Sequence, residues 1–227
     1  MTYENIRQGK FICRPNRFIA HVEIDGKTEI CHVKNTGRCK ELLIPGATVF
    51  LQEFYSGSRK TRFDLISLYK GSRLINMDSG APNKVFAEWV KKAGLWGEID
   101  LIKPEYRYNN SRLDFYIEAD GKKILVEVKG VTLEENGIAR FPDAPTVRGL
   151  KHVTELSRSV ENGHDAYVVF IIQMSGVRYF TPNYKTHKEF GDALKTAWES
   201  GVNILALDCK IAEDSIIADN YVDIHLC

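Results

Sequence analysis

Three charged residues interrupt apolar, strand-like sequence in the middle of the chain. In "SRLDFYIEA", residues 111–119, Asp114 stands between Leu113 and Phe115. In "ILVEVKG", residues 124–130, Glu127 and Lys129 are two residues apart among valines. Side chains alternate across a strand, so Glu127 and Lys129 share one face while Val126 and Val128 share the other. Alternation also puts Leu113, Phe115, Ile117 and Ala119 on one face, with Arg112, Asp114, Tyr116 and Glu118 opposite. If the two strands pair as a hairpin, Asp114 and Glu127 lie near each other at one end of a sheet. Two carboxylates sharing a site repel unless a cation or a proton intervenes. Hard divalent cations such as Mg²⁺, or Mn²⁺ in its place, take such oxygen ligands and leave room for water and a phosphate. A metal so held activates water and stabilises charge on a phosphodiester, and Lys129 could orient the water or offset that charge. The competing reading is an internal salt bridge between Lys129 and a carboxylate, which needs no metal.

Other residues could complete such a site. Glu88, on a preceding helix, offers a further carboxylate at the border of an apolar stripe, or is simply a solvated helix-edge residue. Downstream, "FPDAPTVRGLKHVTEL" carries Arg148, Lys151, His152 and Glu155 at helical spacing on one expected face. A basic helical face beside a metal site suits the phosphate backbone of a nucleic acid, though an ordinary exposed amphipathic helix looks the same. His152 could contact phosphate or act as a base, and a packing or capping role is the alternative.

The elements that must position these residues divide the chain in two. Residues 1–80 read as about five short strands joined by tight turns. The Asp25-Gly26 dipeptide is a type I′ hairpin signal, and a Pro-Gly turn precedes the strand from Thr48. A small barrel is expected, either a five-stranded OB-fold or an SH3-like one. Residues 81–227 begin with a helix that carries Pro82 near its start and stops at Gly94. Strands at 105–108, 112–119 and 124–129 follow, then a helix at 146–162 and a buried strand, "AYVVFIIQM". A helix at 185–200 and a last strand, "VNILALDCK", complete a mixed α/β sheet covered on both sides. A helix-turn-helix over 188–213 is disfavoured, because "NILALD" reads as a buried strand.

Charge is uneven. Residues 1–80 carry 13 Lys and Arg against 8 Asp and Glu, while residues 81–227 carry 18 against 22. In the first part Arg14, Arg17, Lys34, Arg38 and Lys40 alternate with Phe11, Phe18 and Phe50, and "SRKTR" (Arg59, Lys60, Arg62) is a basic loop. Basic grooves with aromatic platforms are how OB-folds hold single strands, although most of these rings suit a barrel core. The 227 residues, 44% hydrophobic and 27% charged, are typical of a globular protein. No apolar run reaches the roughly 18 residues that span a bilayer. The polar start "MTYENIRQGK" argues against export. Five cysteines without a CxxC disfavour a disulfide framework, and Cys13, Cys31, Cys39, His21 and His32 lack zinc spacing. Free thiols in the cytoplasm are expected.

The segments "RPNRFIAHV", "NTGRCKELLIPGATV", "RLDF", "VEVKGVTL" and "FPDAPTVRGLKHVTEL" closely resemble signatures of the sugar fermentation stimulation protein (SfsA) family. The resemblance covers nearly the whole chain. It implies an N-terminal OB-like β-barrel followed by a restriction-endonuclease-like domain of the PD-(D/E)XK type. It also implies non-specific DNA binding, a DNA/RNA nuclease label and a regulatory link to maltose metabolism. The endonuclease-like motif falls on Asp114, Glu127 and Lys129, with Glu88 as the helix carboxylate. Arg38 and Cys39 depart from the family's smaller or apolar pair, so the ligand surface of the first domain need not be shared in detail. The leading expectation is a Mg²⁺-dependent phosphodiesterase that binds nucleic acid, DNA ahead of RNA, with pairing into a homodimer open. The alternative is a non-catalytic DNA-binding regulator of sugar metabolism. A sugar sensor has only the family's name behind it.

Overall fold

The computed structural model describes residues 1–35, 37–55 and 59–226; Ser58 of the basic loop and Cys227 lie outside the described residues. Six strands fill the first part: β1 (Ile6–Asn16), β2 (Ile19–Ile24), β3 (Lys27–Val33), β4 (Thr48–Glu53), β5 (Phe63–Lys70) and β6 (Arg73–Asn76). Asp25 and Gly26 both take positive φ (50° and 74°), the conformation a type I′ turn demands, and the turn sets β2 against β3. β1 pairs with β2 and β4, β4 with β5, and β5 returns to β3 in parallel. The circuit β1-β2-β3-β5-β4 closes a five-stranded OB barrel, and β6 is appended to β5. Alternating apolar residues (Phe11, Val22, Cys31, Val33, Leu51, Leu65) fill its interior. Phe50 is also buried, so of the three rings read as possible platforms only Phe18 is exposed.

The second part has a six-stranded sheet in the order β15-β14-β12-β9-β8-β7. Its members are β7 (Ile99–Tyr108), β8 (Ser111–Ala119), β9 (Lys122–Val131), β12 (Asp165–Ile172), β14 (Asn203–Ala212) and β15 (Ser215–Tyr221). β9, β12 and β14 are parallel, as continuous apolar runs buried on both faces should be. One face is covered by α1 (Ala81–Ala93), which packs Val85, Phe86 and Val90 with Phe115, Ile117, Val126 and Val128. α1 stops where Gly94 turns left-handed (φ 62°). On the opposite face α2 (Val147–Glu161) and α3 (Lys188–Glu199) pack Val153, Leu156, Phe190 and Leu194 with Leu125, Val168 and Phe170. Thr146 starts α2 by accepting the Gly149 N–H at 3.0 Å. The short strands β10 (Leu133–Glu135), β11 (Ile138–Phe141) and β13 (Tyr179–Pro182) make a small side sheet.

Barrel and sheet are fastened together. Glu134, on β10, accepts from Lys70 (2.9 Å) and pairs with Arg73 (2.9 Å) of β5 and β6. Gln173, after β12, donates to Asn76 Oδ1 and the Asp78 carbonyl, each at 3.0 Å. No helix among the described residues is long and apolar enough to cross a membrane.

Candidate metal and nucleic-acid site

The site forms where β8 and β9 part. Their ladder pairs Ala119 with Lys122 through to Phe115 with Val126. Beyond that point the Val128 N–H no longer faces a carbonyl of β8, and Asp114 Oδ2 accepts it at 2.8 Å. The core residues of β8 change sides at this position. Leu113 joins the core on the α2 side while Phe115, Ile117 and Ala119 join the core on the α1 side. Strict alternation puts all four on one face, so the alternation is interrupted between Leu113 and Phe115. Opposite Asp114, between the pairs Pro104–Phe115 and Tyr106–Leu113, Glu105 of β7 takes a left-handed φ of 52°, an unusual conformation for a residue with a side chain. Asp114 Oδ1 accepts from Asn83 Nδ2 at 2.9 Å. Asn83 is not singled out by the sequence, where an Asn at a helix start reads as a cap.

Glu127 and Lys129 share a face, as expected, and it is the face that α2 covers. Glu127 is 2% exposed. Its Oε1 pairs with Lys129 Nζ and accepts from His152 Nδ1; an ionised carboxylate has no proton to give, so the imidazole nitrogen carries it. Its Oε2 is buried with no hydrogen-bond partner. Burial alone would raise the Glu127 pKa, but the His152 hydrogen bond and the Lys129 charge outweigh it and hold the carboxyl below its ordinary value. Burial and then the Glu127 charge push Asp114 the other way, above its ordinary range. Asp114, bonded to the amide of the residue next to Glu127, lies near it as anticipated, and the internal Lys129–Glu127 salt bridge is present as well.

A divalent cation fits this donor set. Both carboxylates are hard oxygen donors, Glu127 Oε2 is buried without a partner although Lys129 and His152 hold Oε1, and the two carboxylates repel each other. No cluster of three or more His, Cys, Asp or Glu suited to a metal exists among the described residues. Two carboxylates suffice for Mg²⁺, which keeps several waters and takes its remaining ligands from substrate phosphates.

Several expected positions are corrected. Glu88 does not join Asp114; its carboxylate takes the Met1 ammonium at 2.6 Å. Asn83 and Glu88 are five residues apart, which on a helix is about 140° of rotation, so only one of them can face the carboxylates. His152 is 4% exposed and holds Glu127, so it offers nothing to a polymer backbone. Glu155 is buried as well, whereas Arg148 and Lys151 are exposed, so the expected common face is split. Lys151 donates to the Asn110 carbonyl at 2.7 Å, beside the β7–β8 turn. On the barrel, Arg14 donates to the carbonyls of Arg17, Asn35, Gly37 and Arg38, which makes it a brace for its own loop. Arg59 and Arg62 pair with Asp64 and Glu53. Among the described residues, Arg17, Arg38, Lys60 and Arg148 form no ion pair. Cys13, Cys31, Cys39 and Cys209 are free thiols.

Comparison with known proteins agrees with this architecture. Residues 12–77 match the model of the SfsA N-terminal OB domain, and residues 80–215 match that of the sugar fermentation stimulation protein RE domain. The chain belongs to the SfsA family. It is 65% identical over 226 residues to a sugar fermentation stimulation protein homolog of Desulfitobacterium hafniense strain Y51, covering 100% of this chain and 99% of that one. Identity to the Clostridium beijerinckii homolog is 62%, covering 100% of each. Pyrococcus furiosus SfsA, solved in complex with Ca²⁺, superposes with a TM-score of 0.89 at 32% identity, covering 99% of this chain and 98% of that one. The fold is thus an OB barrel followed by a restriction-endonuclease-like α/β domain.

Proposed function

We propose that this SfsA-family protein binds nucleic acid and cuts its phosphodiester backbone with a divalent cation held by Asp114 and Glu127. The observation that carries the reading is the buried, unpartnered Oε2 of Glu127 beside Asp114, a second carboxylate whose pKa is raised by burial and then by the Glu127 charge. A buried acceptor without a partner costs stability, and a cation at Oε2 would supply the partner that Lys129 and His152, both on Oε1, do not. The Ca²⁺ in the Pyrococcus relative supports a hard divalent ion, and Mg²⁺ or Mn²⁺ is the reactive choice. Once bound, such an ion lowers the pKa of a water and offsets charge on the phosphate. Asn83 and the Val128 amide fix the Asp114 carboxylate, while His152 fixes that of Glu127. Lys129, 15% exposed, can release Glu127 and place its ammonium against the attacking water or the phosphate. Arg148 and Lys151 on α2, with Arg17, Arg38 and Lys60 on the barrel, hold the backbone by charge, which confers no sequence preference. DNA in the cytoplasm is the favoured substrate.

The test is binding and cleavage together. The protein should bind labelled DNA with an affinity that falls steeply with salt, and should cut it only with Mg²⁺ or Mn²⁺. Asp114→Ala and Glu127→Ala should bind and not cut. Full cleavage by either variant would refute the assignment.

A further inference from the structure

A polar cavity of about 120 Å³ lies between barrel and sheet, and it begins one residue beyond Lys129. Gly130, Val131 and Thr132 of the β9 end form its floor, with Gln173 from the end of parallel strand β12. Crevices outside the carboxyl ends of parallel strands, and junctions between domains, are where open α/β folds take ligands. The barrel supplies Asn35 and Ser79 to the opposite wall, and the loop before α2 supplies Asp143. These parts meet closely. A Cβ on Gly37 would come 2.4 Å from Asp143 Oδ2, and one on Gly130 would come 2.6 Å from both Gln173 Oε1 and Pro82 Cγ. Only glycine at both positions leaves the walls where they are.

The lining mixes donors and acceptors. Arg140 contributes a guanidinium whose buried Nε has no hydrogen-bond partner, its nearest carboxylate oxygen being 3.6 Å away on Glu135. Asp143 is an exposed carboxylate and an acceptor that repels phosphate. Gln173 Nε2 already donates to Asn76 and Asp78, and Asn35 Oδ1 accepts the Gly37 N–H. That leaves the Arg140 guanidinium and the Asn35 amide as donors beside Gln173 Oε1 and Asp143 as acceptors, a mixture that suits the edge of a base. At about 120 Å³ the cavity is well below the roughly 300–1,000 Å³ of ordinary ligand pockets, a scale for a single flat heterocycle and not for a base pair.

We infer that this cavity receives one unpaired base next to the scissile phosphate, so that the substrate is a single strand or a frayed, flapped or overhanging end. The inference rests on the proposed nuclease reading and narrows it. A base inside a duplex reaches such a cavity only by leaving its stack, which selects against intact double strands.

The experiment is anisotropy of labelled oligonucleotides in EDTA, where nothing is cut, with the full chain. The probes are a single-stranded 12-mer, the same strand made abasic at successive positions, and a blunt duplex. Ser79→Trp, at an exposed position, fills the cavity, and Asp143→Ala removes an acceptor without adding bulk. The wild type should prefer the intact single strand by about tenfold, the scale of one base's contacts, and one abasic position should erase that preference. Ser79→Trp, or Asp143→Ala if the first variant fails to fold by circular dichroism, should lower single-strand affinity and leave duplex affinity unchanged. Equal affinity of either folded variant and the wild type for the single strand, or an equal loss on both polymers, would overturn the inference and leave the nuclease reading standing. Binding to no polymer would overturn both.

Discussion

Asp114 Oδ2 accepts the Val128 amide at 2.8 Å, a hydrogen bond that replaces the ladder bond β9 would make if β8 ran on beside it. One carboxylate thus does two things. It satisfies the amide exposed by the parting strands, and it is brought close enough to Glu127 for the two charges to repel. The site and the local break in the sheet have the same cause.

The burial of Asp114, and then that repulsion, should be measurable as stability. The folded pKa of Asp114 lies above its ordinary value of 3.8, so its contribution in metal-free protein is intact at low pH and is lost as pH rises through the raised value. Asp114→Asn keeps the shape and still accepts from Val128, with the Asn83 amide turned over to accept in its turn. In EDTA at pH 7 the variant should melt a few degrees above the wild type, at about 2–4 °C per kcal/mol for a chain of this size. Adding Mn²⁺ or Ca²⁺ should raise the wild-type Tm and leave Asp114→Asn unmoved. The metal-induced rise should shrink on acidification at a pH above the ordinary aspartate range, since a protonated Asp114 is a poor ligand.

Glu127 titrates in the opposite sense. Its folded pKa is lowered from 4.5, so its stabilising pairs with His152 and Lys129 are present above the unfolded value and fade as pH falls through the folded one. His152→Ala removes a buried partner and should cost about 1–3 kcal/mol, read as a lower urea midpoint. It should also weaken metal binding, because Glu127 loses its orientation.

Lys129→Met should leave the metal-induced Tm shift in place and slow cleavage by roughly 10²–10³-fold, the usual loss when one charge-stabilising donor is removed. A variant that cuts at the wild-type rate would reduce Lys129 to a counter-ion for Glu127.

Removing two phosphate-binding side chains has a distinct signature. The double substitution Arg148→Ala, Lys151→Ala should reduce the slope of log affinity against log salt by about 1.4 on single strands, at roughly 0.7 per neutralised phosphate. Arg14→Ala should change the slope little and lower Tm, since its guanidinium is spent on four backbone carbonyls.

Much of this architecture is legible in the residues. The Asp25-Gly26 turn, the barrel, α1 with its Gly94 stop, and the α/β alternation all follow from local chemistry that the tertiary structure does not override. Asp114, Glu127 and Lys129 stand out because charge inside an apolar strand is costly without a purpose. What is not legible depends on packing between segments distant in sequence. Glu88 lies on the correct helix, but its place around the axis aims it at the N-terminal amine, and the residue of α1 that reaches Asp114 is Asn83, as a hydrogen-bond donor and not a further carboxylate. His152 looks like part of a basic face until the packing of α2 turns it inward. Strands β10, β11 and β13 are three or four residues long, too short to carry a period. β15 is an edge strand whose exposed Ile217 and Tyr221 blur the alternation.

The central claim is that Glu127 serves a metal and not merely a salt bridge. The most direct measurement is a time course of end-labelled single-stranded DNA in Mg²⁺, in Mn²⁺ and in EDTA, wild type beside Glu127→Gln, with equal binding first confirmed. Cleavage that requires the metal and disappears in Glu127→Gln is the predicted result. Binding without cleavage under every condition, unchanged by the substitution, would contradict it and leave a nucleic-acid-binding protein built on a nuclease fold.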